Sequence, residues 1–429
     1  MYLTIDLTDY TEIINLAFAP QIDLTIDALP INEFSVDVVT DDSIAVGQYA
    51  ELYDDMDTLW AKYWIIYAER TSEHVVSLRA RSELELMEHV TLDGVMYSGT
   101  ALSDVLDETM VRSAGGGLIA IIDYDLDSSL SSVTVTGYCP EQTARERLQW
   151  ILFTCGAYCQ SYFNAKPTIK PIDVSDTLIP IDRTYWRPSV DHTDYVTEIR
   201  VTSYAFTVAT GVAQDDTSYP FPLPWAATET VYTISNSAAP SGIADNVVEI
   251  TGVYLINASN YAAILSRLAA RYFKRTTVDA DVIDNAEYIP GAHVSVYAGD
   301  GSMYSGYVET ATFAFGKQAK ATLHLTAAEA VECAELTVIY TGSGVVLARE
   351  VHTLPVGYAY SITTRYIDIQ MNGHRYIFRP TTATISGTMT SAGASAEVVC
   401  AVALDYIDGV LGIVSVDDLS ASDGVVTIE

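Results

Sequence analysis

Residues 47–67, GQYAELYDDMDTLWAKYWIIY, read as a hairpin. Tyr49, Glu51 and Tyr53 alternate with Ala50 and Leu52, the period-two pattern of a half-buried strand. An acidic turn follows, Asp54-Asp55-Met56-Asp57, and a segment rich in aromatic and β-branched residues leaves it. The pattern returns at residues 291–313, GAHVSVYAGDGSMYSGYVETATF. One offset of 244 residues carries Gly47 to Gly291, Tyr53 to Tyr297, Trp60 to Tyr304 and Tyr63 to Tyr307. A glycine and three ring positions at one spacing point to a duplicated unit. The plainer alternative is two unrelated Gly-led hairpins with acidic turns.

The 429 residues allow two to four domains. Hydrophobic residues make up 49%, enough for real cores, and the 29 Tyr with many Val and Ile favour strands over disorder. Acidic residues outnumber basic ones 56 to 22, a net charge of −34. Such a chain repels phosphate, and no Lys/Arg run is present, which argues against specific nucleic-acid binding. The start, MYLTIDLTDYTEII, lacks a positive region and an apolar core, so no signal peptide is expected. The most apolar run, residues 148–159, is too short to span a bilayer. Five Cys (139, 155, 159, 333, 400) form no disulfide framework and suit folding in a reducing cytosol.

Residues 1–92 read as short strands, including 22–26, 34–38 and 74–80, in a small barrel or sandwich. Residues 93–189 change texture to α/β. A short helix is expected over 101–110, capped by Ser98 or Thr100, then a Gly115-Gly116-Gly117 loop and strands at 118–122 and 133–135. A long helix is expected from Pro140, with Ala144, Leu148, Ile151, Leu152, Cys155 and Cys159 on one face. Strands resume in 190–331, interrupted by an extended Pro-rich loop at 215–225 and by a helix over 261–275 capped by Ser259 or Asn260. Residues 332–429 read as a small β module ending, from 407, in an acidic tail with no evident core.

Chemical motifs are fragmentary. Residues 123–128, DYDLDS, imitate the start of a calcium loop, but Ser128 stands where Gly is needed and Thr134 where a bidentate Glu is needed. Gly115-Gly116-Gly117 lacks a following Lys-Ser or Lys-Thr, and Gly316-Lys317 is followed by Gln318, so no phosphate cradle is expected. Cys155 and Cys159, one helical turn apart with Cys139 nearby, fall short of a metal set and read as buried apolar residues. The seven His (74, 89, 192, 293, 324, 352, 374) are scattered, and Ser189, Asp191 and His192 are neighbours in one loop rather than a triad. No catalytic, cofactor-binding or metal-ligating residue is assigned, and no cofactor.

The α/β junction Val133-Thr134-Val135-Thr136-Gly137-Tyr138-Cys139-Pro140 leads into the helix Ala144-Arg145-Glu146-Arg147-Leu148-Gln149-Trp150-Ile151-Leu152, closed by Gly156-Ala157. With the duplicated hairpin, this resembles the baseplate hub or tail-tip hub of bacteriophage tails, a family shared with contractile injection systems. The likeness covers about residues 1–330 and departs at Arg147, where the family often has Ala. It implies a mainly β fold with an α+β insertion: two tube-type β-barrels (1–92 and 190–331), an α/β domain between them (93–189), and a C-terminal β module (332–429). It further implies a homotrimeric, pseudo-sixfold ring on the DNA exit path. That ring joins the tail-tube or distal tail protein to a spike or tip protein, with the tape-measure protein a further partner. The location implied is the virion tail, after folding in the host cytoplasm. Residues 333–406, with a Val-x-Tyr opening, a Gly turn and Gly-x-x-Tyr, separately resemble a mucin-binding β-grasp repeat.

Two other functions compete: a cell-surface adhesin resting on that module, and a cell-wall hydrolase. Neither a sorting signal nor a catalytic motif supports them. An acidic bore, with Arg183, Arg187, Lys274 and Arg275 outside it, is expected of a ring that lets DNA slide; acidity spread evenly for solubility is the alternative.

Overall fold

The alternation at 49–53 becomes a strand, Tyr49–Tyr53, with Ala50 and Leu52 wholly buried and Tyr49, Glu51 and Tyr53 half-buried. In the computed structural model, the residues described are 1–22, 29–54, 57–172, 177–181, 184–208, 225–283, 288–298, 301–315, 320–342, 345–364, 367–371, 374–378, 383–393, 395–407, 410–422 and 426–428. Residues 23–26 of the expected strand at 22–26, the centre of the acidic turn (Asp55, Met56), residues 215–224 of the expected Pro-rich loop at 215–225, Arg183 and the Gly316-Lys317 pair lie outside them, while Trp225 opens a strand. Among the described residues the protein is mainly β, and no helix is long and apolar enough to cross a membrane.

The chain divides into two compact units. The first comprises residues 1–173, 193–275 and 309–321. Its main sheet runs in the order Thr8–Tyr10, Tyr2–Ile5, Tyr49–Tyr53, Leu59–Ser72, Val75–Arg81, Glu33–Val39, Ile13–Phe18, and then residues 313–315. Neighbouring strands are antiparallel, and inward residues alternate with polar ones, as in Phe34, Val36 and Val38 or Val76, Leu78 and Ala80. That alternation fixes the register, because a slip of one residue would turn the apolar set outward.

The α/β segment of this unit has its own core of Val105, Leu106, Leu148, Ile151 and Ile169. Helix α1 (Leu102–Thr109) forms where the spacing predicts, but its N-cap is Ala101, with no side-chain cap. Helix α2 is Ala144–Cys155, shorter at both ends than expected. Thr143 and Glu146 close a capping box that starts it, while Gly156, at φ 70°, stops it. Pro140 therefore precedes the helix by several residues, and Cys159 is not helical but lies in the strand Ala157–Gln160. The signal that should have outweighed Pro140 is the T-x-x-E spacing itself.

Among the described residues of 193–275, a three-stranded sheet forms, with Glu198–Val208 between Trp225–Ser235 and Val247–Ile250. Helix α3 (Tyr261–Tyr272) buries Ile264, Leu265 and Leu268 in a core with Ile199 and Val201. Asn260 is the N-cap residue, but its side chain bonds Asn257 and Leu255 rather than the helix. Strands within the block 190–331 are shared between this sheet and others.

The second unit comprises residues 174–192, 276–308 and 322–429. Thr177–Ile181 runs parallel to His293–Tyr297 and also parallel to Ala359–Thr364, which pairs with Ala383–Thr388. Ser189–His192 pairs with Thr276–Ile283. A four-stranded sheet follows, ordered Val345–Pro355, Cys333–Gly342, Ser395–Ile407, Val410–Ser422, its two central strands parallel. Within the expected acidic tail from 407, Val410–Ser422 and Val426–Ile428 are therefore paired strands. Leu336, Val338, Tyr340, Tyr360 and Val398 form the core there.

Candidate assembly surfaces

The two Gly-led hairpins share a backbone plan. Gly47 and Gly291 have φ of 93° and 90°, in the region that favours glycine. In the first hairpin Tyr49 pairs with Trp64, Leu52 with Ala61 and Tyr53 with Leu59. In the second His293 pairs with Tyr307, Val296 with Tyr304 and Tyr297 with Met303. Gly47 and Tyr53 therefore correspond to Gly291 and Tyr297, as the offset of 244 predicts.

Beyond the turn the correspondence slips by one residue. A β-bulge opposite Leu52 and Tyr53 admits Trp60 as an extra residue, and the second hairpin has none. Tyr304 consequently occupies the register of Ala61, not Trp60, and Tyr307 that of Trp64, not Tyr63. Trp60 turns inward among Phe163 and Phe313, ring centroids 4.8 and 5.1 Å away. Tyr63, fully buried, corresponds to Gly306. A side chain at Gly306 would meet Thr326 O and Ala328 Cβ at 3.2 Å, so close strand packing has taken the ring's place.

The outward faces of the hairpins differ. On the first, Lys62 pairs with Glu51 at 2.7 Å, and the Tyr53 hydroxyl donates to the same carboxylate at 2.7 Å. That bond is the main cause that pushes the Tyr53 phenol up to about 12. The ring of Trp64 meets Tyr49 edge-on and lies under the Arg112 guanidinium. On the second, His293 stacks on Tyr307 at 4.5 Å and meets Tyr358 edge-on, and Ser295 and Ser305 are buried.

The α/β junction is set by a close crossing. Gly137, at φ 132°, would place a Cβ 2.5 Å from Tyr254 O and 2.9 Å from Leu255 Cα. The Tyr138 N–H donates to Tyr254 O at 3.2 Å, and Asn257 Nδ2 donates to Thr136 O at 2.9 Å. Arg147 is 4% exposed, and its guanidinium donates to the carbonyls of Leu92 (3.1 Å) and Asp93. It satisfies backbone acceptors that an alanine would leave unpaired. Arg267 donates to Phe153 O at the end of α2, and burial lowers its pKa.

The motif residues serve structure. Asp123 pairs with Lys166 at 3.2 Å, Asp125 begins a short strand, and Asp127 caps a turn by accepting from the Ser129 hydroxyl and N–H. Among the described residues no three His, Cys, Asp or Glu side chains converge as a metal set would. Ser189, Asp191 and His192 share a strand, so His192 points to the opposite face from the other two. His192 Nδ1 meets Thr276 Oγ1 at 3.2 Å. Burial pushes the thiols of Cys139 and Cys159 up to about 12 and that of Cys155 to about 11, which keeps all three protonated and unreactive near neutrality.

No family model and no curated protein matches the chain. Solved structures do, and the fold is one found in phage tail proteins. A tail protein from Neisseria meningitidis MC58 matches at a TM-score of 0.54 and 11% identity, over 76% of this chain and 95% of that one. The 43 kDa tail protein of prophage MuSo2 from Shewanella oneidensis matches at 0.51 and 10%, over 76% and 97%.

Proposed function

We propose that this chain is a structural hub of a phage tail, in the baseplate or at the tail tip. The observation that carries the reading is the likeness of three quarters of the chain to nearly the whole of two tail proteins. The repeated hairpin supports it: two related β units per chain match a sixfold tube when three chains close a ring. In this reading the tube-type barrels belong to 1–92 and 190–331, the α/β domain to 93–189 and the C-terminal module to 332–429. The ring binds the tail-tube or distal tail protein on one side and a spike or tip protein on the other, and the tape-measure protein is a further partner. No chemical step is assigned to it. Its bore lies on the DNA exit path and is net acidic, with Arg187, Lys274 and Arg275 away from it, so that phosphate is repelled rather than held.

The adhesin reading draws less support. Ala359–Thr364 pairs with Thr177–Ile181, which ties the C-terminal module into the second compact unit instead of leaving it free-standing. A reconstruction of the particle tests the hub reading. Three copies around the tail axis are expected; six copies, or absence from the particle, would overturn it.

A further inference from the structure

A further hairpin, in the α/β segment, is rooted in that segment's core but leaves its glycine tip and the strand beyond it largely uncovered. Val111–Gly115 pairs with Leu118–Ile121, and no further strand lies beside this two-stranded sheet among the described residues. Gly115, Gly116 and Gly117 turn the chain with φ of 85°, 59° and 81°. Leu118, Ile119 and Ile121 are 69%, 62% and 77% exposed. Successive strand residues face opposite ways, so the apolar side chains occupy both faces.

The root of the hairpin is held firmly. Ile122 N–H donates to Met110 O at 2.8 Å, and both residues are buried in the α/β core. Arg112 is fixed by Glu83 at 3.4 Å and by the Trp64 ring. An apolar ribbon on a fixed base, with an open strand edge, is suited to adding a strand or burying its faces against another surface.

Charge decides what that surface belongs to. Residues 113–122, SAGGGLIAII, carry no ionisable side chain, in a chain with a net charge of −34. Two copies of so acidic a chain repel each other wherever carboxylates face carboxylates. A charge-free apolar ribbon is where they can meet without that opposition. A basic partner, in contrast, would be drawn to an acidic face, which this ribbon lacks.

We propose that the hairpin over residues 111–121 is a contact between copies of this chain. The inference rests on the hub reading for the closure of a ring and adds the surface through which neighbours touch. The test compares the full wild-type chain with an Ile119→Asp/Ile121→Asp variant by light scattering and sedimentation, with circular dichroism and melting as folding controls. The wild type is expected as a trimer and the folded variant at about one third of that mass. A variant that keeps the wild-type mass overturns the proposal, as does a wild type that stays monomeric at high concentration. Should the variant fail to fold, a photo-crosslinking residue at position 119 of the otherwise unchanged chain replaces it. Covalent multimers are then expected, and their absence overturns the proposal. The two readings fail separately. Three copies in the particle with an unaffected variant leaves the hub and removes the contact. Self-association lost in the variant, with six copies in the particle, leaves the contact and removes the hub.

Discussion

Replacing Gly137 with Ala adds one methyl group at the tightest crossing in the α/β junction. Its Cβ would lie 2.5 Å from Tyr254 O and 2.9 Å from Leu255 Cα, both backbone atoms that cannot swing aside as a side chain can. The φ of 132° adds backbone strain for any L side chain. Strain of this kind costs about 1–3 kcal/mol, and overpacking about 1–3 kcal/mol more. The expected loss is therefore roughly 2–6 kcal/mol, a large share of the ~5–15 kcal/mol that holds a domain folded. Gly116→Ala is the control: φ is 59°, but nothing lies within 4 Å, so only the strain remains, about 1–2 kcal/mol. Urea unfolding followed by fluorescence separates them. With a slope of about 3 kcal/mol per molar, the midpoint should fall by roughly 0.7–2 M for Gly137→Ala and by about half a molar for Gly116→Ala. Equal midpoints for the two variants would refute the crossing as the reason for the glycine.

Other expectations follow the same logic. Thr143→Ala should cost about 1 kcal/mol through loss of the capping box on α2, and Thr143→Ser should restore it, read from the same unfolding curves. Arg147→Ala should cost about 2–4 kcal/mol, because the carbonyls of Leu92 and Asp93 lose their donor in a buried site; Arg147→Lys, with a single point of charge, should rescue it only partly. Cys139 and Cys159 should resist thiol reagents at pH 8 in the native protein and react on unfolding. Their folded pKa values lie above the ordinary 9.0, so their contribution is fully present below pH 9 and is lost as pH rises toward about 12. An alkaline melting series that falls over that window, and falls less in a Cys139→Ala/Cys159→Ala variant, checks the sign.

The sequence by itself determined the elements whose signals are local. Strands with clean alternation, such as Glu33–Val39 and Val75–Arg81, formed with the expected residues inside, because period two dictates the buried face. The two Gly-led hairpins were legible from ring and glycine spacing. The capping box that starts α2 and the Gly156 that ends it were also written in the chain, but the apolar run through 159 obscured the stop. Only the tertiary structure decided the rest. The bulge at Trp60, which shifts the hairpin correspondence by one residue, is a matter of strand pairing that no linear offset can show. Gly137 and Arg147 acquire their meaning from backbone at 254–255 and 92–93, far away in sequence. The division of 190–331 between separate sheets, and the pairing of Ala359–Thr364 with Thr177–Ile181, depend on long-range partners as well. Exposure of Leu118, Ile119 and Ile121 was likewise hidden: an apolar run predicts a strand, but whether anything covers it is settled only when the whole chain has packed.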